Sequence, residues 1–364
     1  MSGAFAPASS AFAAKPPIWG RLRRAAFGVA LLAFALYLPF VLTQRAAFGY
    51  RLSNVQLLNL GLSQIDLMLI AMLGALSLNF LTGCAGLISI GHAAFYATGA
   101  MTAAIVGSLW GLPFPVVLVA AALSGAVVGV LAGLPSLRVR GLYFVLSTLA
   151  VHHVVAYIFL QVQVKLFDVS GVPYNPASLG GFALDTPMRW YFFLLALVAL
   201  VYWALRNCLD TREGRAMRAM RDHELAAQAA GVDVRVLRLK AFALSSAVAS
   251  TAGAAQAYFM SNISSEAFGL DFAIQFIAMI IIGGLGSLTG SLFGAAIWLL
   301  LPSILSGLAP QGGGAVAALV AAHKPQLVQL VFGLLVILLL IFAPGGVAGL
   351  GRKLGALLSP RESR

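Results

Sequence analysis

Apolar residues fall in blocks along nearly the whole chain, at 25–43, 61–81, 87–108, 113–134, 142–162, 188–205, 241–260, 271–286, 288–307 and 326–343, with short polar or glycine-bearing stretches between them. A helix rises 1.5 Å per residue, so a block of about twenty such residues matches the hydrocarbon thickness of a bilayer. The pattern predicts an all-α, polytopic helical membrane protein with about ten transmembrane segments, some of them short or broken. The block at 25–43 is too long for the core of a secretory leader and has no small-residue cleavage pattern, so it is expected to be a retained span. Residues 1–24 and 351–364 then form tails on a transmembrane domain covering 25–350.

One stretch breaks the apolar rhythm. Residues 206–240 hold 13 of the 34 charged residues, which makes this stretch a polar handle on a membrane body. Within it, periodicity predicts one helix over 214–230, with Ala216, Met217, Met220, Leu225 and Ala229 on one side and Arg215, Arg218, Arg221 and Asp222 elsewhere. Asp210 or Thr211 can cap its start, Glu213 follows closely, and Gly231 can end it. Two readings stand: a solvated loop helix, or a docking helix whose small-residue centre, 224–231, lies in a groove on a soluble partner.

Composition supports the membrane reading. At 61% hydrophobic residues, 9% charged and a mean hydropathy of +0.96, the chain has too little polar surface to cover a soluble globule. The net charge of +12 would suggest nucleic acid for a soluble protein, but in a membrane protein basic residues set orientation, so no nucleic-acid partner is expected. With the N-terminus inside and ten crossings, 18 Lys and Arg residues fall on the inner side and five on the outer. That asymmetry predicts cytoplasmic N- and C-termini and a cytoplasmic handle. Cys84 and Cys208 then both lie near the inner side, and no disulfide framework is expected.

Segments 87–108 and 241–260 are dominated by Ala, Gly, Ser and Thr, which permit close helix contact and suit a bundle interior. Glycines interrupt the apolar pattern in both halves, Gly86 and Gly91 in the first and Gly283, Gly284, Gly286 and Gly290 in the second. Such interruptions predict helix breaks beside a solute path or, equally, tight packing without a transport role. Polar side chains at membrane depth are the other candidates for a translocation path: Asn79, Ser89, His92, Tyr96, Thr98, Ser147, Thr148, Gln256 and Gln275. For Asn79, Ser89, Ser147 and Thr148 a hydrogen bond between helices is the competing reading, and for His92 a packing role. His152 and His153 are adjacent and cannot face one cavity together. Asp66 is expected near the outer end of its span as a hydrated carboxylate, which leaves no buried acid to support a proton-driven carrier.

Some chemistry is absent. There is no Gly-x-x-x-x-Gly-Lys-Ser/Thr, and none of the five lysines follows a glycine, so the chain holds no nucleotide in a P-loop of its own. No His-Glu-x-x-His occurs and the two cysteines are far apart, so neither a metal site nor a catalytic thiol is expected. A motor, if there is one, belongs to another chain.

Four blocks then carry a resemblance: LSLNFLTGCAGLISIGHAAFYATGAM (76–101), LPSLRVRGLYFVLSTLA (134–150), GRAMRAMRDHELAAQAAGVDV (214–234) and IAMIIIGGLGSLTGSLFGAAI (277–297). In this order they resemble the permease subunits of branched-chain amino-acid ABC importers, over residues 60–350. The resemblance implies a non-enzymatic transport subunit of a binding-protein-dependent importer in a bacterial inner membrane. It implies ABC ATPase subunits carrying ATP and Mg, a second homologous permease subunit forming a mixed pair, an extracytoplasmic solute-binding protein, and a lipid surround, with no cofactor on this chain. It also implies that 214–231 is the ATPase-coupling segment, with Glu224, Ala226, Ala227 and Gly231 at its characteristic positions. Gly214, Arg215, Arg218, Arg221 and Asp222 lead into those positions, and the arginines are expected to pair with acidic groups on the ATPase. The outer stretch Val164-Lys-Leu-Phe-Asp168 departs from the glycine-rich Thr-Gly-Gly of the family and leaves the substrate open. Urea, an amide or a sugar is the alternative cargo, and an ion-coupled secondary carrier is the alternative mechanism. For a membrane-embedded enzyme or scaffold the chain offers no pair of carboxylates.

Overall fold

The structure, a computed structural model, describes residues 37, 39, 46–47, 50–51, 61–139, 141–167, 171–179, 181–308, 323–342 and 345–349. The chain divides into two units, 1–54 and 55–364. In the first, β1 (Ala46–Ala47) pairs antiparallel with β2 (Tyr50–Arg51), Ala46 opposite Arg51. The predicted span 25–43, apart from residues 37 and 39, and both predicted tails lie outside the described residues.

The second unit is helical. Helix α1 (Leu62–Leu78) runs on into a π-helical turn, Asn79–Cys84, and α2 (His92–Ala103) does the same into Ala104–Leu109. Then follow α3 (Phe114–Gly133), α4 (Leu142–Leu166), α5 (Pro187–Asp210), the short α6 (Arg212–Asp222) and α7 (Glu224–Ala229), and the long α8 (Val234–Met260). Last come α9 (Leu270–Gly283), α10 (Leu288–Leu308) and α11 (Lys324–Phe342). Prolines preset the first turns of α3 and α5. Asp233 caps α8 by accepting from the Arg235 and Val236 N–H groups at 3.0 and 3.3 Å, and Ser261 ends that helix in the left-handed region at φ 59°.

Helix α8 is the axis of the bundle, packed against α1, α2 and α3. Small residues set that closeness: a Cβ on Gly99 would collide with the Ser250 carbonyl, and one on Gly129 with the Ser246 side chain. Serines on α8 also satisfy themselves across the contact. Ser245 donates to the Ser77 carbonyl at 2.8 Å and Ser250 to the Phe95 carbonyl at 2.7 Å. These two hydroxyls thus find backbone partners in the low-dielectric interior between α8 and its neighbours.

Every predicted segment from 61–81 onward contains a helix. Among the described residues, four helical stretches are long and apolar enough to cross a membrane, Leu62–Cys84, Phe114–Gly133, Tyr143–Leu166 and Pro187–Asp210. Segments 271–286 and 288–307, expected as two crossings, form one pair bent by 119° between Leu270–Gly283 and Leu288–Pro302, which makes a fifth crossing at most. Helices α2 and α8 are outside this group, since their Ala, Gly, Ser and Thr content suits contact with protein instead of lipid.

Candidate functional site

The polar handle folds as two helices instead of the single one expected over 214–230. Thr211 is the cap: its Oγ1 accepts from the Gly214 N–H at 3.2 Å. The break is at His223, whose φ of −157° and ψ of 97° are extended. Its physical cause lies on either side. Arg221 donates through Nη1 to the Gly83 carbonyl at 2.5 Å, while Glu224 accepts from Arg238 Nη2 on α8 at 2.7 Å, so the two arms are tied to different parts of the bundle.

The break also turns the faces. On α6, Gly214, Met217 and Met220 are buried, and Ala216 is partly so. On α7, Ala227 is buried whereas Leu225 is 64% exposed, with Ala226, Ala229, Ala230 and Gly231 exposed beside it. The apolar side expected to be continuous thus faces inward in its first half and outward in its second. Gly231 ends the segment at φ +85°.

Most of the charges are occupied within the chain. Arg215 Nη1 donates to the Asp210 carbonyl at 2.7 Å and Arg218 Nη2 to the Leu209 carbonyl at 3.0 Å, satisfying carbonyls at the negative end of α5. Lys240 pairs with Glu213, and Asp222 lies exposed with its carboxylate 3.4 Å from Arg221 Nε.

Three turns meet at this end of the bundle. Asn79, on the π-helical turn of α1, donates through Nδ2 to the carbonyls of Gly284 (3.3 Å) and Ser287 (2.9 Å) and to Ser291 Oγ (2.6 Å). Its Oδ1 accepts from the Gly286 N–H at 2.8 Å. One buried amide thus clamps the α9–α10 turn to the end of α1. Gly283 and Gly290 touch backbone to backbone across that turn, and Gly284 lies against Gly345 and Gly346. At the opposite end, β3 (Val172–Pro173) pairs antiparallel with β6 (Asn262–Ile263), while β4 (Ser178–Leu179) and β5 (Phe182–Ala183) form a hairpin. Ser108 donates to the Pro173 carbonyl at 2.9 Å, and Gln163 accepts from the Ser265 N–H at 2.8 Å. Tyr174 donates to the Ala100 carbonyl at 3.0 Å, and burial pushes its phenol pKa up, so it stays a donor.

The nine polar candidates do not gather on one surface. Asn79 belongs to the clamp. His92 and Tyr96 share the buried α2: His92 Nε2 is 2.6 Å from Ser77 Oγ, and the Tyr96 hydroxyl donates to the Ile70 carbonyl at 3.1 Å among Phe268, Phe272 and Phe276. Because Ser77 donates its own hydrogen to the Gly74 carbonyl at 2.8 Å, the imidazole must carry its proton on Nε2, which leaves the buried Nδ1 without a hydrogen-bond partner. Thr98 and Thr148 donate to carbonyls of their own helices, Ala94 and Val145. Ser89 and Ser147 have buried hydroxyls without partners, on either side of the place where Gly91 abuts the Thr148 carbonyl. Gln256 and Gln275 are half-buried on α8 and α9. Of the two adjacent histidines, His152 is buried and His153 exposed. Among the described residues, no three of His, Cys, Asp and Glu assemble as metal ligands.

Asp66 corrects the expectation of a hydrated carboxylate. It is fully buried, and neither carboxyl oxygen has a hydrogen-bond partner. Helix α5 packs along α1, the helix that carries Asp66. Arg238, which sequence reasoning passed over, is 8% exposed and holds Glu224. The serines of α8 were passed over too, although the helical spacing of Ser246 and Ser250 in an alanine-rich segment was a readable signal.

Comparison with known proteins gives this geometry a family. Residues 62–340 match the family model described as "Branched-chain amino acid transport system / permease component". The high-affinity branched-chain amino acid transport system permease protein LivM of Escherichia coli is 29% identical over 285 residues, 72% of this chain and 64% of its own length. A probable branched-chain amino acid transport permease protein LivM of Methanocaldococcus jannaschii is 26% identical over 247 residues, 64% of this chain and 67% of its own. The chain thus spans under two thirds of the Escherichia coli relative. A solved chain titled as an inward-facing metal-chelate type ABC transporter covers 86% of this chain and 99% of its own at 17% identity, with a TM-score of 0.45. The matched stretch takes in both glycine turns, the clamp and the two-part handle, and this multi-pass membrane protein belongs to the branched-chain amino acid transport permease family.

Proposed function

We propose that the chain is the transmembrane permease subunit of an ATP-driven, binding-protein-dependent importer for branched-chain or related amino acids, with α7 as the surface on which a partner ATPase sits. The observation that carries this reading is the exposed Leu225 among Ala226, Ala229, Ala230 and Gly231. A leucine ringed by small residues, on a helix outside the apolar segments, suits a groove on a soluble protein. ATP and Mg belong to that partner, and this chain contributes no catalytic group. The arginines expected to meet acidic groups of the ATPase instead brace the handle, so docking rests on shape and apolar contact.

In this reading the end carrying the handle and the two glycine turns is cytoplasmic, together with tails 1–24 and 351–364 around a permease domain over 25–350. That these turns share one side is supported by the meeting of 83–91 and 284–287 with the basic handle, whose Lys and Arg residues weigh for the inner side. The opposite end, with the β3–β6 pair, receives the solute-binding protein. The outward sides of α3 and α4 divide the remaining surface. Helix α3 presents Val116, Val119, Leu123 and Val127, a purely aliphatic side suited to lipid. Helix α4 presents Tyr143, Leu146, His153 and Tyr157, and an ionisable ring at membrane depth suits a homologous permease subunit across a shared passage. ATP binding would then draw two handles together and rock the bundles about that passage.

Purification of the tagged chain in mild detergent tests the class. ATP-hydrolysing subunits and a second permease in stoichiometric amount are expected, and a chain that comes alone rejects the docking surface. Competition of unlabelled urea against labelled leucine uptake tests the cargo. A lone ion-coupled carrier is the second reading, favoured by the buried Asp66 carboxyl. Ion-gradient-driven uptake by the isolated chain in liposomes, without nucleotide, would establish it instead.

A further inference from the structure

The contacts of Arg221 on α6 leave the handle for the glycine turns. Its Nη1 donates to the Gly83 carbonyl at 2.5 Å, in the turn after α1. Its stem lies along Gly86, where a Cβ would stand 2.8 Å from Arg221 Cγ, and its tip reaches Gly286 in the α9–α10 turn, where a Cβ would stand 2.6 Å from Nη1. Both glycines are left-handed, at φ +76° and +79°, so side chains are disfavoured there twice over, by conformation and by the guanidinium itself. The two turns are already joined through Asn79, which accepts from the Gly286 N–H and donates to Gly284, Ser287 and Ser291. A Cβ on Gly83 would collide with both Asn79 Oδ1 and the Gly286 nitrogen. The guanidinium therefore lies where the end of α1, the start of the α2 turn and the α9–α10 bend converge.

We propose that Arg221 is the positioning residue through which displacement of the handle reaches the glycine-interrupted helices, while α7 alone holds the ATPase. The proposal rests on the docking role of α7 and adds the route inward. A backbone carbonyl and two glycines receive the arginine, so its planar fork can pull on one turn and press on the other, and Asn79 links the same two turns beside it. Displacement of the last turn of α6 moves the Gly83 carbonyl directly and the α9–α10 bend through Asn79. The exposed residues of α7 make none of these contacts, so docking and transmission fall on different side chains.

The test uses the assembled importer, with its ATPases and binding protein, in liposomes. Arg221→Gln is expected to retain the ATPase subunits in full amount and to lower uptake per ATP hydrolysed by about tenfold or more, the factor that loss of one charge-assisted hydrogen bond brings. Arg221→Lys, which keeps a charged donor but not the fork, should recover part of that ratio. Gly286→Ala, with Arg221 intact, should reproduce the defect by displacing the guanidinium. Cys84, whose Sγ lies 4.0 Å from the Gly286 carbonyl, gives a second readout in a Cys208→Ser background. Nucleotide should change its maleimide labelling rate with Arg221 present and not with Arg221→Gln. Unaltered uptake per ATP in Arg221→Gln, or a retained nucleotide response at Cys84, would overturn the proposal. Loss of the ATPase from Arg221→Gln would also overturn it, by placing Arg221 in the docking surface. An unmutated chain that retains no ATPase would bring down the docking role itself and this route with it.

Discussion

Helices α6 and α7 are consecutive, share one amphipathic pattern and differ in what they do with it. On α6 the apolar residues Met217 and Met220 point into the bundle, and Arg215, Arg218 and Arg221 are spent on carbonyls of the chain itself. On α7 only the anchor Glu224 and the buried Ala227 face inward, and the leucine is left outside. The contrast teaches that a charged helix need not be the binding surface. Here the charges fasten the segment and Leu225 is left exposed.

Substitutions can break this contrast, and the largest effect is expected at the junction. Glu224→Arg would set a second guanidinium against Arg238, whose side chain is 10% exposed. Breaking this part-buried pair leaves Arg238 uncompensated beside a like charge, so α7 should detach and substrate-stimulated ATP hydrolysis by the complex should fall to background, although the subunit still inserts. Met217→Ala removes core from α6 at a cost of about 2–5 kcal/mol. Thermal denaturation in detergent should show that loss, while ATPase retention at low temperature stays normal. Leu225→Asp should reverse this outcome, leaving the denaturation midpoint alone and weakening ATPase affinity by about 1.5–3 kcal/mol, the value of one buried leucine. If Leu225→Asp binds the ATPase normally, α7 is not the docking surface. Arg215→Ala should be the mildest, about 0.3–1 kcal/mol from the end of α5, visible only as a small shift in midpoint.

Much of the fold was legible because membrane helices announce themselves through apolar runs, and the helices from α1 onward lie within or overlap the expected segments. The handle was legible as to place and cap, less so as to shape. The run Asp222-His223-Glu224 fits a continuing helix locally, and its extended residue is imposed by Gly83 and Arg238, partners 138 and 14 positions away. Asp66 was misread for a related reason: hydropathy tells how deep a residue lies along a span but not whether a neighbouring helix such as α5 covers it. Of the polar candidates, residue type gave the cost of burial, whereas the identity of each partner, Ser77 for His92 or the α9–α10 turn for Asn79, is set by packing between distant segments.

The π-helical turn at Asn79–Cys84 has a mechanical meaning of its own. A turn of this kind carries one residue more than the common pitch, and taking up that surplus would rotate everything beyond it by about 100° around the axis of α1. Such a twist would carry the Gly83 carbonyl out of reach of Arg221 with no bend in the helix and no change in its tilt. The first helix of the described bundle therefore holds a spare step of rotation beside its fastening to Arg221, and a second such step is built into the far end of its neighbour at Ala104–Leu109.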